Sequence, residues 1–337
     1  ADMIWCIGKS SGMVQLKKLL PLDILYQASH DAGSVGGLWS EHHRAFAKFI
    51  MRYSPRSVFE IGGGHGILAK ECKKIGDVGW MILEPNPPSA ISESGAKYTK
   101  GFFDADYTFN DPFDAVVHSH VFEHMYDVMS FTDKLRGFLE QDKMLFFSLP
   151  NMLAMLKEKY TNAINFEHTF LLAEEYVEFL MIEHGFAIEN KEYFLDNHSI
   201  FYACRRSQAG RQAGISPILY DRNKELFFKY IRHYEEVVED LNERIQNTGS
   251  PIYLFGAHVF SQYLIEFGLR TGRIVSILDN APAKQGKRLY GTNLMVRSPN
   301  VLRDERSPIV ILRAGAYNEE IKSDILGNIN PSAEFWM

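Results

Sequence analysis

The sequence predicts an α/β protein with two units, a larger one around a mostly parallel, seven-stranded sheet and a smaller one of similar type. Short apolar runs alternate with segments whose apolar residues recur at helical spacing. One early run ends in a glycine-rich turn, and a long charged helix separates this first series from a second one. The length of 337 residues also favours more than one domain.

The first unit is predicted over residues 40–206, after a lead segment, 1–39, with little regular structure. Ser40 and Glu41 resemble the cap and acidic first turn of a helix that runs to residue 53. Further helices are expected at 67–75, 128–139 and 174–184. The expected strands are 57–61, 79–83, 98–103, 113–118, 143–149, 186–194 and 199–205. Ligands of such sheets bind beyond the carboxyl ends of the strands.

Residues 207–248 are predicted to form a linker and an amphipathic helix, 221–246, with a solvated charged face. A second α/β unit is predicted at 249–337. Its expected strands are 252–256, 274–278 and 307–312, and its expected helices are 261–267 and 319–326. The alternation of strand and helix predicts that this smaller unit is also Rossmann-like.

Composition excludes several classes of protein. The net charge is -6 and no basic cluster reaches five residues, so a nucleic-acid partner is not expected. No apolar run approaches the ~20 residues of a membrane helix, so no membrane partner is expected. Cys6, Cys72 and Cys204 lie far apart, which gives a cysteine-rich zinc site no support and fits a reducing, cytoplasmic location.

The glycine-rich turn carries the strongest functional signal. A strand, a glycine turn and a helix together offer backbone N–H groups and a positive helix end to a ligand. Dinucleotide-binding loops need G-x-G-x-x-G, and Ile67 stands where the third glycine would be. The E-x-G-x-G-x-G pattern is instead that of enzymes that bind S-adenosylmethionine (SAM). The predicted cofactor-binding residues of this turn are Glu60, Gly62, Gly64 and Gly66.

Two later positions complete the predicted cofactor site. Glu84 ends the next strand, 24 residues after Glu60, where an acid would bind the ribose hydroxyls. His118, in the fourth strand, is predicted to run beside the cofactor. With His120 and His124 it resembles a metal cluster, but the spacing does not place the three on one helical face and no acid–histidine pair completes a set. No metal is therefore predicted. His124 lies where substrate is expected, although a structural histidine is equally compatible.

Three segments resemble the SAM-dependent sugar C-methyltransferases, which methylate carbon 3 of nucleotide-linked 4-keto-deoxysugars. Residues 119–127 (SHVFEHMYD) look like that family's N/S-x-V-x-x-H-x-x-D segment. Residues 165–168 (NFEH) are similar to its Tyr-His-Glu-His motif. Residues 278–287 (LDNAPAKQGK) are similar to its C-terminal domain signature. The resemblance covers roughly residues 20–337 and implies a class I methyltransferase fold. Asn165 and Phe166 depart from the motif, and of the family's N-terminal zinc module only Cys6 remains.

The resemblance implies that His168 removes the proton next to the ketone, with Glu167 and His124 in the same pocket. Histidine suits this task because its pKa lies near neutrality. Glu167 could orient a ring or bind a sugar hydroxyl, and the pair could instead cap a helix. Tyr26 is the best functional candidate among the aromatic residues of the lead segment. An oxygen nucleophile would need a weaker base, so an O-methyltransferase remains open.

The predicted substrate is a small molecule, a nucleotide-linked sugar, and the sequence is compatible with a homodimer. Asn165, Lys284 and Lys287 are predicted substrate-binding residues, the two lysines against a diphosphate, although they could equally be surface charges. A non-catalytic SAM-binding scaffold is the alternative of another class. An NAD-dependent oxidoreductase is disfavoured because His258 and Ser261 stand where a second dinucleotide loop would need glycine.

Overall fold

The computed structural model describes residues 3–25, 37–88, 94–196, 198–207 and 214–337. The chain divides into two units, which are described separately. The first comprises Ala1–Met155 and Phe166–Asn223, and the second comprises Leu156–Asn165 and Lys224–Met337. A short helix, α5 (Met152–Lys157), and a long one, α7 (Ile218–Asn247), each cross a boundary of this division.

The lead segment contains more structure than the sequence predicts. Two three-residue strands, β1 (Trp5–Ile7) and β2 (Val14–Leu16), form an antiparallel hairpin, and a short helix, α1 (Leu22–Leu25), follows. Strands of this length are too short to produce a recognisable alternation of apolar and polar residues. The hairpin is hydrogen-bonded to the chain around Phe170. Leu16 N–H donates to the Thr169 carbonyl at 2.9 Å, and Gln15 forms an isolated antiparallel β-bridge with Phe170. The predicted site residue Tyr26 lies outside the described residues.

The first unit is built on one seven-stranded sheet, as predicted. The strand order is β5-β4-β3-β6-β7-β9-β8, and the first five of these strands are parallel to one another. Strand β9 pairs antiparallel with both of its neighbours, β7 and β8. These strands are β3 (Ser57–Ile61), β4 (Gly79–Glu84), β5 (Lys97–Lys100), β6 (Ala115–Ser119), β7 (Met144–Pro150), β8 (Phe186–Phe194) and β9 (Ser199–Arg206).

Helices cover both faces of this sheet. Successive strand residues point to opposite faces, so Val58 enters one buried apolar cluster while Phe59 enters the other. The first cluster contains residues of α2 (Gly37–Met51) and α3 (Ile67–Lys73), and the second contains residues of α4 (Val128–Phe138) and α6 (Glu174–Glu183). Because parallel strands are buried on both faces, their residues read as continuous apolar runs.

The second unit has a smaller sheet whose strands are all parallel, in the order β12-β11-β10-β13-β14. Its core includes Tyr253, Leu278 and Val310, one from each of the three central strands. The described helices of this unit include part of α7, α8 (Val259–Glu266) and α9 (Asn318–Asp324). Its strands are β10 (Ile252–Phe255), β11 (Ile274–Leu278), β12 (Val296–Arg297), β13 (Ile309–Ile311) and β14 (Glu334–Trp336).

Within the described part of the chain, every helix is too short or too polar to cross a bilayer.

Candidate active site

The glycine turn joins β3 to α3 in a conformation that requires glycine. Gly62, Gly64 and Gly66 have φ values of 69°, 50° and 72°, a region that residues with a side chain rarely adopt. At Gly66 a Cβ atom would lie 2.7 Å from both Ser94 Oγ and Tyr98 Oη. The backbone can therefore approach a ligand closely and present N–H groups from the start of α3.

Glu60 supports this turn from inside the protein. Its side chain is only 2% exposed, and Trp80 Nε1 donates a hydrogen bond of 2.6 Å to Glu60 Oε2. A Cβ atom at Gly63 would lie 2.7 Å from the same carboxylate, which therefore fills the space beneath the loop. Burial raises the pKa of Glu60 to about 7, against the lowering effect of the Trp80 hydrogen bond. The predicted role of Glu60 in cofactor binding is thus best understood as shaping the loop.

Glu84 lies at the carboxyl end of β4 beside the same turn. Its Oε2 accepts a hydrogen bond of 3.0 Å from Gly64 N–H, and its Oε1 accepts one of 3.0 Å from Asn86 N–H. The side chain remains partly exposed. An acid at this point can receive the hydroxyls of a ribose whose nucleoside lies across the glycine turn.

His118 is placed differently from the prediction. Its ring is fully buried, stacks on Phe147 at 5.1 Å and contacts the rings of Phe122 and Phe131. Neither ring nitrogen has a hydrogen-bond partner among the described residues, and burial lowers the pKa of His118 to about 3. A ring with no exposed surface cannot contact a ligand, so the structure corrects the cofactor-binding interpretation of His118 to a core residue.

The chain beyond β6 turns back towards the glycine loop. His120 has a positive φ of 54°, and a single 3₁₀ turn, Phe122–His124, follows. A Cβ atom at Gly62 would lie 3.0 Å from Val121 Cγ2, so this turn packs directly beside the loop. Side chains of the 3₁₀ turn are therefore held close to the predicted cofactor site.

His124 and His168 meet in this region although 43 residues separate them in the chain. Their ring centroids are 5.4 Å apart. His124 Nδ1 lies 3.0 Å from the carbonyl oxygen of Glu167, which fixes the ring orientation. Thr169 holds the two segments together because its N–H donates to the Glu123 carbonyl at 2.9 Å and its hydroxyl donates to the Met125 carbonyl. His124, Glu167 and His168 therefore lie close together in the structure.

Glu123 also lies in this group and was not singled out by sequence reasoning. Its side chain is 1% exposed, and neither carboxylate oxygen accepts a hydrogen bond from the described residues. His120 Nδ1 is 3.2 Å and His124 Nε2 is 3.9 Å from Glu123 Oε1. One donor atom each from Glu123, His124 and His168 lie within 4.8 Å of one another. These three side chains therefore form an acid–histidine group that the sequence reasoning did not identify.

A second cluster of rings adjoins His120 and was also missed. Trp39 contacts His120 at 4.7 Å and His198 at 5.2 Å between ring centroids, and His42 contacts both histidines. His42 is fully buried; burial and the neighbouring histidines hold its pKa well below the usual value, and the same causes act on His120. Trp39 and His42 are three residues apart on one helix and so lie on the same face, which is a sequence signal for this cluster.

The remaining predicted residues belong to the second unit. Asn165 ends the segment Leu156–Asn165. Lys284 Nζ lies 3.2 Å from Asp279 Oδ2, while Lys287 is exposed. Asp279 follows β11 and accepts a hydrogen bond of 2.8 Å from Ala257 N–H in the turn after β10. This loop–acid pair resembles that of Gly64 and Glu84 in the first unit.

Comparisons with known proteins agree with this geometry. Residues 38–191 match the model of a methyltransferase domain, and residues 221–333 match that of a C-methyltransferase C-terminal domain. No curated protein matches the chain significantly.

Solved structures align with about half of the chain. One is an S-adenosylmethionine-dependent methyltransferase from Mesorhizobium loti, 15% identical, with 47% of this chain and 96% of that chain covered and a TM-score of 0.38. Another is an O-methyltransferase family protein from Burkholderia thailandensis, 13% identical, with 50% and 56% covered and a TM-score of 0.42. With the glycine turn, Glu84 and the match of residues 38–191 to a methyltransferase domain, the chain is a SAM-dependent methyltransferase of the class I fold.

Proposed function

We propose that this enzyme transfers the methyl group of SAM to a carbon next to the ketone of a nucleotide-linked keto-deoxysugar, with His168 as the general base. The observation that carries the proposal is the meeting of His168 and His124 beside the glycine loop. The match of residues 221–333 to a C-methyltransferase domain supports carbon, rather than oxygen, as the acceptor atom.

The chemistry of carbon methylation explains why a base is needed at this point. A C–H bond next to a ketone is a weak acid, so a positioned group must take its proton before the carbon can act as a nucleophile. SAM supplies a methyl group that is already activated by its sulfonium charge, and the enolate carbon displaces S-adenosylhomocysteine from it. His168 in its neutral form accepts the proton at one ring nitrogen and later releases it to solvent.

Neighbouring residues support this role for His168. The Glu167 carbonyl accepts the Nδ1 proton of His124, which leaves the Nε2 lone pair of that ring directed away from the bond. In this arrangement His124 can receive a hydrogen bond from the acceptor sugar, while the Glu167 carboxylate can bind a sugar hydroxyl. Since both segments are joined through Thr169, the rings keep a fixed separation.

On the sequence alone, a role in binding the nucleotide end of the acceptor is proposed for Lys284, Lys287 and Asn165. Lys284 and Lys287 supply positive charge for a diphosphate, and Asn165 supplies an amide for hydrogen bonding. Tyr26 is proposed as a further active-site residue on the sequence alone.

The decisive experiment compares His168→Ala and His168→Gln with the wild type on SAM and a 4-keto-deoxysugar nucleotide. Loss of a general base is expected to lower the rate of methyl transfer by about 10²–10⁴-fold, with the SAM dissociation constant unchanged. A control, His184→Gln, removes a histidine that pairs with Asp133 outside the site and should retain activity. Full activity of both His168 variants would refute the base assignment, and methylation of a hydroxyl would favour the O-methyltransferase alternative.

A further inference from the structure

The side chains of Glu123, His124 and His168 are also of the types that bind transition-metal ions. One carboxylate oxygen and two imidazole nitrogens within 4.8 Å of one another are a ligand set that zinc and similar transition metals accept, with further coordination positions left open. Ligand atoms around one zinc ion at about 2.0–2.2 Å are some 3–4 Å apart. The distance of 3.9 Å between His124 Nε2 and Glu123 Oε1 already has this value.

Glu123 provides the first independent sign that a cation belongs here. Its carboxylate is almost completely buried and accepts no hydrogen bond from the described part of the chain. His120 Nδ1 lies 3.2 Å from Oε1, but burial holds the pKa of His120 well below its usual value, so that this ring brings no positive charge to the carboxylate. A buried carboxylate without hydrogen bonds is costly, and such groups are normally paired or bound to a metal. The other described glutamate that is similarly buried, Glu60, does have a donor in Trp80.

The orientation of His124 is the second sign. A metal-binding histidine usually donates its other ring N–H to a carbonyl or a carboxylate, which fixes the tautomer and aims the free nitrogen. His124 does this through Nδ1 and the Glu167 carbonyl at 3.0 Å, so that Nε2 is the nitrogen next to Glu123. With a partly exposed side chain, His124 also provides a route from solvent to the buried carboxylate.

We infer that Glu123, His124 and one ring nitrogen of His168 bind a single divalent transition-metal ion, for which Zn²⁺ is the probe, and that the bound ion inhibits methyl transfer. The inhibition rests on the proposed function, because a ring nitrogen that coordinates a metal has no lone pair with which to accept a proton. The binding itself depends only on the geometry of the three residues. The enzyme is thus active without the ion and is controlled by its availability.

Binding is measured first, on the full chain after treatment with a chelator and dialysis. Calorimetry with Zn²⁺ and the visible absorption of Co²⁺ are compared for the wild type, Glu123→Gln, His124→Asn and Asp133→Asn. Asp133 is the matched control because it pairs with His184 at 2.6 Å, away from the site. We expect one ion per chain for the wild type and for Asp133→Asn, and at least tenfold weaker binding for the other two variants. SAM affinity and thermal unfolding report whether each variant folds.

Equal Zn²⁺ affinity in the wild type, Glu123→Gln and His124→Asn, all folded, would overturn the site and would leave the proposed function untouched. Methyl transfer is then followed with and without saturating Zn²⁺. Loss of activity that the chelator reverses is the expected result. Tight binding at this site with undiminished activity would overturn the inhibition and, separately, the assignment of His168 as base.

Discussion

Substitution of Gly66 by alanine tests whether the glycine turn is shaped for a ligand. Gly66 has a φ of 72°, and the added Cβ atom would lie 2.7 Å from Ser94 Oγ and from Tyr98 Oη. The left-handed conformation costs alanine about 1–2 kcal/mol, and crowding of this kind adds about 1–3 kcal/mol. The turn is therefore expected to move, with a total cost of about 2–5 kcal/mol shared between unfolding and ligand binding.

Chemical unfolding and calorimetry with S-adenosylhomocysteine measure the two shares. We expect Gly66→Ala to lower the free energy of unfolding and to weaken ligand binding at least about tenfold, which corresponds to ~1.4 kcal/mol. Gly137→Ala is the matched control because, apart from its chain neighbours and the backbone of α4 itself, no heavy atom of the described residues lies within 4 Å of its Cβ position. It should bind normally and unfold at equal or higher denaturant concentration. A Gly66→Ala protein with wild-type stability and affinity would refute the reasoning.

Two further predictions concern buried polar groups next to the site. Burial raises the pKa of Glu60 from 4.5 to about 7, so the free energy of unfolding falls as the pH rises through this interval and Glu60 ionises. Trp80→Phe removes the 2.6 Å hydrogen bond to Glu60 and should deepen this loss above pH 7 by about 1–3 kcal/mol. An unchanged dependence of stability on pH would contradict the role of Trp80 as the donor to Glu60. His118→Phe should leave the affinity for SAM unchanged. Because the pKa of buried His118 is lowered to about 3, the same substitution should reduce the loss of stability between pH 6.5 and 3, which circular dichroism follows during acid titration. Weaker SAM binding would instead restore His118 as a cofactor-binding residue.

Local sequence patterns predicted the elements of this fold well. The strands Ser57–Ile61, Phe186–Phe194 and Ile274–Leu278 have the predicted bounds, because an apolar run and a glycine or polar stop are both local signals. The hairpin of β1 and β2 was missed because it depends on pairing with the chain near Phe170 rather than on its own periodicity.

The composition of the active site was harder to predict because its residues come from separate segments. His168 and Glu123 are 45 residues apart, and only the folded sheet brings their loops together. Residue type alone also misassigned His118, since a polar residue in a parallel strand that is buried on both faces can be part of the core. Glu60, Gly64 and Glu84 do lie around one turn in the structure, because the pattern describes one strand–turn–helix and the next strand end.

The most direct test of the account is SAM binding by calorimetry in the wild type and in Glu84→Ala. Glu84 contacts Gly64 N–H across the loop and is expected to accept the ribose hydroxyls. Hydrogen bonds to a charged group contribute about 1.5–3 kcal/mol, so the substitution should weaken SAM binding by at least about tenfold. Measurable binding in the wild type that falls in this way is the predicted result. No binding to the wild type, or equal binding to both proteins, would contradict the cofactor site described here.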